Sequence, residues 1–331
     1  MLYRVVVSSW KYRLKKRFPL GVWLYFARIA QQRKSNTFRE YVHVNSKNLY
    51  PETILVIRRR PPGGGLFSNV NHVLQGLELS RERESLPVVD MENYWTSYSQ
   101  RNPVDGTKNA WEYFFEPVSR IRLPELKHYS SVTYSAGDRI NPNSILAVKN
   151  LGFIQDKEKI EYIHNLYRAH VKLNTLTSKF LENVKEFLDW NSNTIGVFYR
   201  GTDYVELEPK GHARQPALNL VTKSLLNKLE DSRMSKVLIS TEDHQARRIL
   251  SNIAPECIYP DFRDSALMNR LSPFNSKLSP QALKALGYLA ETYLLSESYT
   301  AVSSIANGSA MAFIINGNRF NQPVVFNLGS Y

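Results

Sequence analysis

The feature that most constrains the fold is a run of short strand-like segments separated by helix-length stretches in the second half of the chain. The strand-like segments are TIGVFY (194–199), KVLIST (236–241), ECIYP (256–260), TAVSS (300–304) and PVVFNLG (323–329). Helical spacing of apolar residues occupies the stretches 215–229, 244–250, 280–298 and 307–315. This alternation predicts a parallel sheet with right-handed crossovers, in which ligands bind at the carboxyl ends of the strands.

A second unit of the same kind begins near residue 53. Its parts, in order, are a strand at 54–58, a Pro- and Gly-rich loop at 60–65, a helix from 66 to 84, and the strand LPVVD at 86–90. Glycines in such a loop let the backbone approach an anionic group at a helix N-terminus. The stretch 151–190 is mainly helical and connects the two units. We therefore predict two α/β domains that face a cleft, at 51–190 and 191–331, after an N-terminal segment at 1–50.

Most of the positive charge lies in that N-terminal segment. The formal net charge is +13, and residues 1–48 contribute +10 of it, with eleven Lys or Arg against the single acid Glu40. The remaining body is nearly balanced, which argues against nucleic acid as a partner. The apolar stretch 18–30 is shorter than the roughly 20 residues needed to span a bilayer. Its own aromatic residues and the basic residues that flank it predict docking on an anionic membrane surface, and a helix packed on the body with a solvated basic face is the alternative.

The sequence lacks the residue patterns that indicate a disulfide or a common type of metal site. Cys257 is the single cysteine, so no intrachain disulfide can form. H-E-x-x-H and Asp-x-Asp patterns are both absent from the sequence. We therefore predict no metal ion and no cofactor, and a positioned arginine with helix N-termini would then carry the charge of a leaving group.

Polar residues follow three of the predicted strands. Arg200 has the planar fork that suits a diphosphate, although an ion pair with Asp203 is the alternative. Asp243 could bind a base or ribose hydroxyls, or could cap the next helix. Ser303 and Ser304 precede a strand-to-helix turn, where hydroxyl and N–H groups can bind phosphate or cap the helix.

The loop that follows Arg200 holds the candidates for a general base. A carboxylate or an imidazole can take this role when it is held near an acceptor hydroxyl. Each of them alone is also compatible with an ordinary solvated loop side chain. The candidates are Asp203, Glu206, Glu208 and His212.

Four segments taken together resemble the fucosyltransferase superfamily, which includes protein O-fucosyltransferases, α-1,6-fucosyltransferases and bacterial nodulation fucosyltransferases. The segments, in family order, are PPGGGLFSNVNHVLQGLELSRERESLPVVD (61–90), YRGTDYVELEPKGHARQP (199–216), ISTEDHQARRIL (239–250) and YTAVSSIANGSAMAFIING (299–317). The resemblance implies a GT-B-like fold of two Rossmann-like domains with parallel sheets facing a cleft. It also implies a nucleotide-sugar as substrate, most often GDP-fucose, and an inverting mechanism without an obligatory metal.

The resemblance also implies roles for individual residues. Arg200 would bind the diphosphate and Asp243 the guanine. Further sugar-donor contacts would come from Ser303, Ser304, Gly64, Gly65 and Asn69. Apart from the resemblance, we predict His72, Trp111 and His212 on the acceptor side. The segment around Trp111 has no counterpart in the best-known members of the family, and an aromatic core is the alternative for it. One departure from the family pattern is Phe198, which stands where the family has a histidine two positions before the arginine.

The function expected from these observations is transfer of a sugar from a nucleotide-sugar donor to a hydroxyl of a glycan or lipid-linked glycan acceptor. A cytoplasmic enzyme of bacterial envelope polysaccharide synthesis, peripheral on the inner face of the plasma membrane through residues 1–48, fits the N-terminal charge. The alternatives are the same fold with another nucleotide-activated sugar, a polyanion-binding or nucleic-acid-binding protein, and a catalytically silent nucleotide-sugar-binding scaffold.

Overall fold

The computed structural model of the chain describes residues 39–45, 50–137, 140–147, 151–201, 205, 207–208, 210–232, 234–259, 262 and 264–331. Of the segment 1–48 that is predicted to dock on membranes, residues 1–38, which include the apolar stretch 18–30, lie outside the described residues. The candidate bases Asp203 and Glu206 lie outside them as well. Among the helices of the described residues, none combines the length and apolar composition that crossing a bilayer requires.

The first sheet has four strands in the order β1-β4-β2-β3. Their bounds are β1 Tyr41–Val44, β2 Tyr50–Arg58, β3 Leu86–Asp90 and β4 Tyr129–Tyr134. β2 pairs in parallel with both β3 and β4, and β1 is an antiparallel edge strand. The helix α1, Leu66–Glu82, follows the Gly-rich loop and crosses from β2 to β3. The predicted strand, loop, helix and strand are therefore confirmed.

The second sheet has five parallel strands in the order β7-β6-β5-β8-β9. The chain leaves β5 in one direction for β6 and β7, and returns to the other side of β5 for β8 and β9. In open sheets of this kind the reversal creates a crevice at the carboxyl ends of the two inner strands. The bounds are β5 Thr194–Tyr199, β6 Lys236–Thr241, β7 Glu256–Ile258, β8 Thr300–Ser304 and β9 Val324–Phe326.

Helices cover this sheet and connect it to the first one. Two connecting helices, each capped by the side chain of the residue before it, account for the helical prediction over 151–190. The bounds are α2 Lys157–His170, α3 Thr175–Phe187, α4 Leu218–Ser232, α5 His244–Ile253, α6 Ser265–Leu271, α7 Pro280–Glu297 and α8 Asn307–Asn316. Short 3₁₀ helices span Leu123–His128, Ile145–Ala147 and Gly152–Gln155.

The helix α4 begins three residues later than the sequence pattern predicts. Gln215 precedes Pro216, and a residue before proline is disfavoured in the helical region. The Gln215 amide instead donates to the carbonyls of Ala213 and Ile305, at 2.9 and 3.1 Å. This side chain therefore fastens the loop after β5 to the turn after β8.

One continuous apolar core extends through both halves of the molecule. Phe67 of α1 packs edge-on against Tyr288 of α7, with ring centroids 5.1 Å apart. The hydroxyls of Tyr167 in α2 and Tyr293 in α7 are 2.6 Å apart. Because interiors of this kind are close-packed, the core fixes the spacing between the two sheets and hence the shape of the cleft between them.

Candidate active site

Arg200 lies at the crevice where the order of the second sheet reverses. Its backbone N–H donates to the Ser304 hydroxyl, at 3.1 Å, and this bond links the carboxyl ends of β5 and β8. Its guanidinium lies 3.7 Å from a carboxylate oxygen of Glu242, which follows β6. The other oxygen of Glu242 lies 3.7 Å from the ammonium of Lys284 on α7. Arg200 therefore lies at the carboxyl end of β5, as the sequence predicted.

A first cavity of about 380 Å³ opens beside Arg200, between the two halves of the molecule. This volume lies within the range of about 300–1,000 Å³ typical of small-molecule sites. The Gly-rich loop and the segment after β3 form one wall, and the strand ends with α7 form the other. The lining residues are Gly65, Leu66, Ser97, Tyr98, Arg200, Glu242, Phe262, Gln281, Lys284, Ala285, Tyr288 and Glu291.

Asn69 braces the Gly-rich loop from inside the protein. Its side-chain oxygen accepts from the Gly64 N–H and from Arg59, at 3.2 and 2.8 Å, and its amide donates to the Gly64 carbonyl at 3.0 Å. Asn69 is fully buried. A side chain at Gly64 would meet the Ser68 hydroxyl at 2.6 Å, so the loop needs glycine there. Gly65 lines the first cavity, whereas the enclosed Asn69 does not, and direct contact of Asn69 with a sugar donor stays a prediction.

The two carboxylates that follow β6 do different work. Asp243 caps α5, because its Oδ1 accepts from the N–H groups of Gln245 and Ala246 at 2.8 and 3.0 Å. Its Oδ2 lies against Gly201, where any added side chain would collide with it. The capping alternative is therefore realised, and base recognition by Asp243 stays a prediction. Of the two carboxylates after β6, Glu242 is the one that lines the first cavity.

Glu242 is a strand-end residue to which the sequence reasoning assigned no role. The signal for it was available, because in doubly wound sheets the acid just after the second strand of the unit is the usual partner of ribose hydroxyls. Glu242 stands directly after β6, and Asp243 one position later. The capping preference of Asp243 then decides which of the two side chains remains for the cavity.

Ser303 and Ser304 are fully buried. The Ser303 hydroxyl donates to the carbonyl of Ser304 at 2.8 Å, and the Ser304 hydroxyl accepts from the backbone of Arg200. Neither serine lines the first cavity, and their contact with a sugar donor stays a prediction. Their role in the structure is to hold the turn between β8 and α8 and to fix the start of the Arg200 segment.

A second cavity of about 250 Å³ lies on the other side of α1 and is lined mainly by polar groups. His72 lines it while remaining only 5% exposed. The ring Nε2 is 2.9 Å from the Arg58 carbonyl, which can only accept, so Nε2 carries the proton. Burial, with a smaller effect from the nearby Arg59 charge, lowers the pKa of His72 to about 4. The imidazole is therefore neutral at physiological pH, with Nδ1 as an acceptor.

The loop after Arg200 contributes to the second cavity through Lys210 and His212. The C-terminal residues hold this loop, since the Tyr331 N–H donates to the His212 carbonyl at 3.0 Å. Glu208 is exposed, has a positive φ of 41°, and lines neither cavity. Its role as a base, like those of Asp203 and Glu206, stays a prediction, and His212 remains a candidate by position.

Trp111 does not face either cavity. It is 1% exposed, stacks on Phe115 with centroids 4.5 Å apart, and donates its indole N–H to the Glu116 carbonyl at 2.9 Å. The prediction that Trp111 stacks on an acceptor sugar is therefore wrong. The aromatic-core alternative for its segment is correct, because Tyr113 and Phe114 are buried as well.

Comparison with known proteins places this architecture among glycosyltransferase structures. No family model matches the chain, and no curated protein matches it. Two crystal structures of POFUT1 in complex with GDP match with TM-scores of 0.52 and 0.50, at 9% and 10% identity. Each covers 84% of this chain and 99% of its own. A structure of NodZ α-1,6-fucosyltransferase soaked with GDP-fucose has a TM-score of 0.48 at 16% identity, over 80% of this chain and 92% of its own. The likeness to the two POFUT1 structures confirms the predicted α/β, GT-B-like fold.

Proposed function

We propose that the chain is a glycosyltransferase that moves a sugar, with fucose from GDP-fucose as the first choice, to a hydroxyl of a glycan acceptor. The observation that carries the proposal is the position of Arg200, at the reversal point of the second sheet and across the first cavity from the Gly-rich loop. Support comes from the fold, which is shared with POFUT1 structures that contain GDP. A diphosphate in this cavity would meet a guanidinium whose planar fork matches two phosphate oxygens.

The proposed reaction is a single displacement with inversion and without a metal. An acceptor hydroxyl attacks the anomeric carbon, the new C–O bond forms as the bond to the phosphate oxygen breaks, and the nucleoside diphosphate leaves. Arg200 stabilises the negative charge that develops on the diphosphate. The hydroxyl proton passes to a carboxylate of the loop after β5, with Asp203, Glu206 and Glu208 as the candidates and His212 less favoured.

A screen of nucleotide-sugars tests the proposed function directly. GDP-, UDP-, ADP- and CMP-sugars are added to the full chain, and the shift in melting temperature and the rate of sugar release are measured. We expect GDP-fucose to stabilise the protein, by about 2.7 kcal/mol at a hundredfold excess over Kd, and to be hydrolysed slowly. Selective response to another member of the panel would identify the alternative sugar donor. No response to any member would refute the proposal.

We also propose that the enzyme works at the cytoplasmic face of a bacterial membrane, on a lipid-linked envelope glycan. The support is the charge of +10 in residues 1–48, beside a short aromatic stretch. Deletion of residues 1–38, which leaves β1 in the first sheet, is expected to reduce co-sedimentation with anionic vesicles while GDP binding is retained, because the first cavity is built from later residues. Equal sedimentation of the two forms would contradict the docking role, and neutral vesicles serve as the control.

A further inference from the structure

A groove runs on from the first cavity along the segment that follows β3. We name it the Trp95 groove. Its volume is about 380 Å³, and it shares two residues, Ser97 and Gln281, with the first cavity. The groove is thus continuous with the proposed sugar-donor site. Its lining consists of Trp95, Thr96, Ser97, Ser99, Gln100, Arg101, Ser279 and Gln281.

Trp95 is the one aromatic side chain of the groove, and 43% of it is exposed. Within the described part of the chain, its indole N–H has no hydrogen-bond partner. The next residue is fixed, because the Thr96 N–H donates to the Ser99 hydroxyl at 2.9 Å and the two hydroxyls are 3.0 Å apart. Thr96 itself is buried. A rigid turn therefore holds the large aromatic ring open to solvent at the edge of the cleft.

The floor of the groove joins the two halves of the molecule. The Gln100 amide donates to the Lys277 carbonyl at 3.2 Å, and its oxygen accepts from the Ser279 N–H at 2.8 Å. Ser279 in turn caps α7, since its hydroxyl accepts from the Ala282 N–H at 3.2 Å. These bonds within the protein fix the floor of the groove, so a ligand entering it loses little free energy to ordering the protein.

We infer that the Trp95 groove binds the acceptor glycan, with a pyranose ring stacked on the Trp95 indole. A sugar ring has an apolar C–H face and a rim of hydroxyls. The groove offers the complement, one aromatic face bordered by the polar groups of Ser97, Arg101 and Gln281. A protein loop or a lipid chain would instead need apolar neighbours around the tryptophan, and the other lining residues are all polar.

The inference rests on the proposed function, in which a sugar is transferred from a donor in the first cavity to an acceptor in the groove. A glycan in the groove would extend one hydroxyl past Ser97 and Gln281 into the first cavity, where the anomeric carbon of the sugar donor would lie. The Ser97 hydroxyl also donates to the Gly64 carbonyl at 3.1 Å, which ties the mouth of the groove to the Gly-rich loop. The proposed acceptor and sugar-donor sites therefore adjoin at Ser97 and Gln281.

The test is binding of the full chain, saturated with GDP, to a glycan array of immobilised neutral and acidic oligosaccharides. The variants are Trp95→Ala, Trp95→Phe and the control Phe187→Ala, which removes a similarly exposed aromatic ring from the end of α3. We expect the wild-type chain and the control to bind the same glycans. Trp95→Ala should weaken that binding about tenfold or more, while Trp95→Phe keeps part of it because it retains a ring. GDP affinity should stay within about twofold in all four proteins, since Trp95 does not line the first cavity.

The outcomes separate the groove from the proposed function. A wild-type chain that binds GDP but no glycan, or a Trp95→Ala variant that binds glycans as well as wild type, overturns the acceptor groove. A wild-type chain that binds glycans through Trp95 but binds no nucleotide supports the groove and overturns the glycosyltransferase. Unchanged melting temperatures show that each variant is folded.

Discussion

Replacement of Arg200 by Ala is expected to lower kcat/KM for transfer from the nucleotide-sugar by about 10²-fold or more. A preorganised group that stabilises charge at a developing anion is worth about this much in enclosed sites. The Arg200 side chain is 22% exposed, so it is partly shielded from water, where its interaction with a diphosphate is stronger than at an open surface. Its backbone bond to Ser304 does not need the side chain, so the crevice should survive the substitution. Sugar release from GDP-fucose measures the effect without a known acceptor.

Two further variants make the Arg200 experiment specific. Arg200→Lys keeps the positive charge but loses the planar fork, so it should recover only part of the activity. Arg270→Ala removes another arginine, which lies at the end of α6 and packs on the Phe187 ring. Arg270 lines neither the first nor the second cavity, so this variant should leave turnover unchanged. Near-normal turnover of Arg200→Ala, with intact folding, would contradict the placement of the diphosphate. A loss of the same size in Arg270→Ala would mean that the effect is one of stability.

Because of Glu242, nucleotide affinity is a second quantity to measure in the same variants. Its carboxylate oxygens lie 3.7 Å from the Arg200 guanidinium and 3.7 Å from the Lys284 ammonium, so Glu242 occupies space beside the cation that a diphosphate would bind. A diphosphate entering this space must either displace Glu242 or lie near a like charge. Arg200→Ala removes the guanidinium that would hold the diphosphate and leaves the negative charge of Glu242 beside it, so nucleotide affinity and turnover should fall together.

The sequence predicted the parts of the site that depend on strand ends. The β-rich segments around 194–199 and 300–304, with the helices between them, specify a parallel sheet, and a parallel sheet brings the residues after its strands to one edge. Arg200 was found in this way, without any knowledge of its contacts. The Gly-rich loop before α1 was found from its own composition, because a consecutive run of two Pro and three Gly cannot continue a strand.

The sequence could not predict which way individual side chains face. Trp111 and Trp95 both lie in loop-rich segments with aromatic neighbours, yet one is 1% and the other 43% exposed. Aromatic residues serve as core and as binding surface alike, so composition does not separate them. The enclosure of Ser303 and the choice between Glu242 and Asp243 depend on contacts between residues distant in sequence, such as Gly201 against Asp243.

The pH dependence of stability is expected to report on His72. The folded protein holds its pKa at about 4, below the 6.5 of an unperturbed histidine, so the unfolded chain binds the proton more readily. Stability from this residue is therefore fully present above pH 6.5 and is lost as the pH falls towards 4. The full shift corresponds to roughly 3 kcal/mol, of which about 2 kcal/mol should be lost by pH 5. Urea unfolding of the wild-type chain between pH 7.5 and 5 measures this loss together with that of other groups.

His72→Gln isolates the contribution of this imidazole. The glutamine amide can still donate towards the Arg58 carbonyl, but it does not titrate, so the variant should lose less stability on acidification than the wild-type chain. Buried carboxyl groups such as Asp90 titrate in both proteins, and their effect cancels in the difference. The exposed His128→Gln is the matched control for loss of an imidazole. A difference between wild type and His72→Gln that is the same at pH 7.5 and pH 5 would show that His72 is not held neutral by burial. In that case its Nδ1 could no longer be treated as a fixed acceptor in the second cavity.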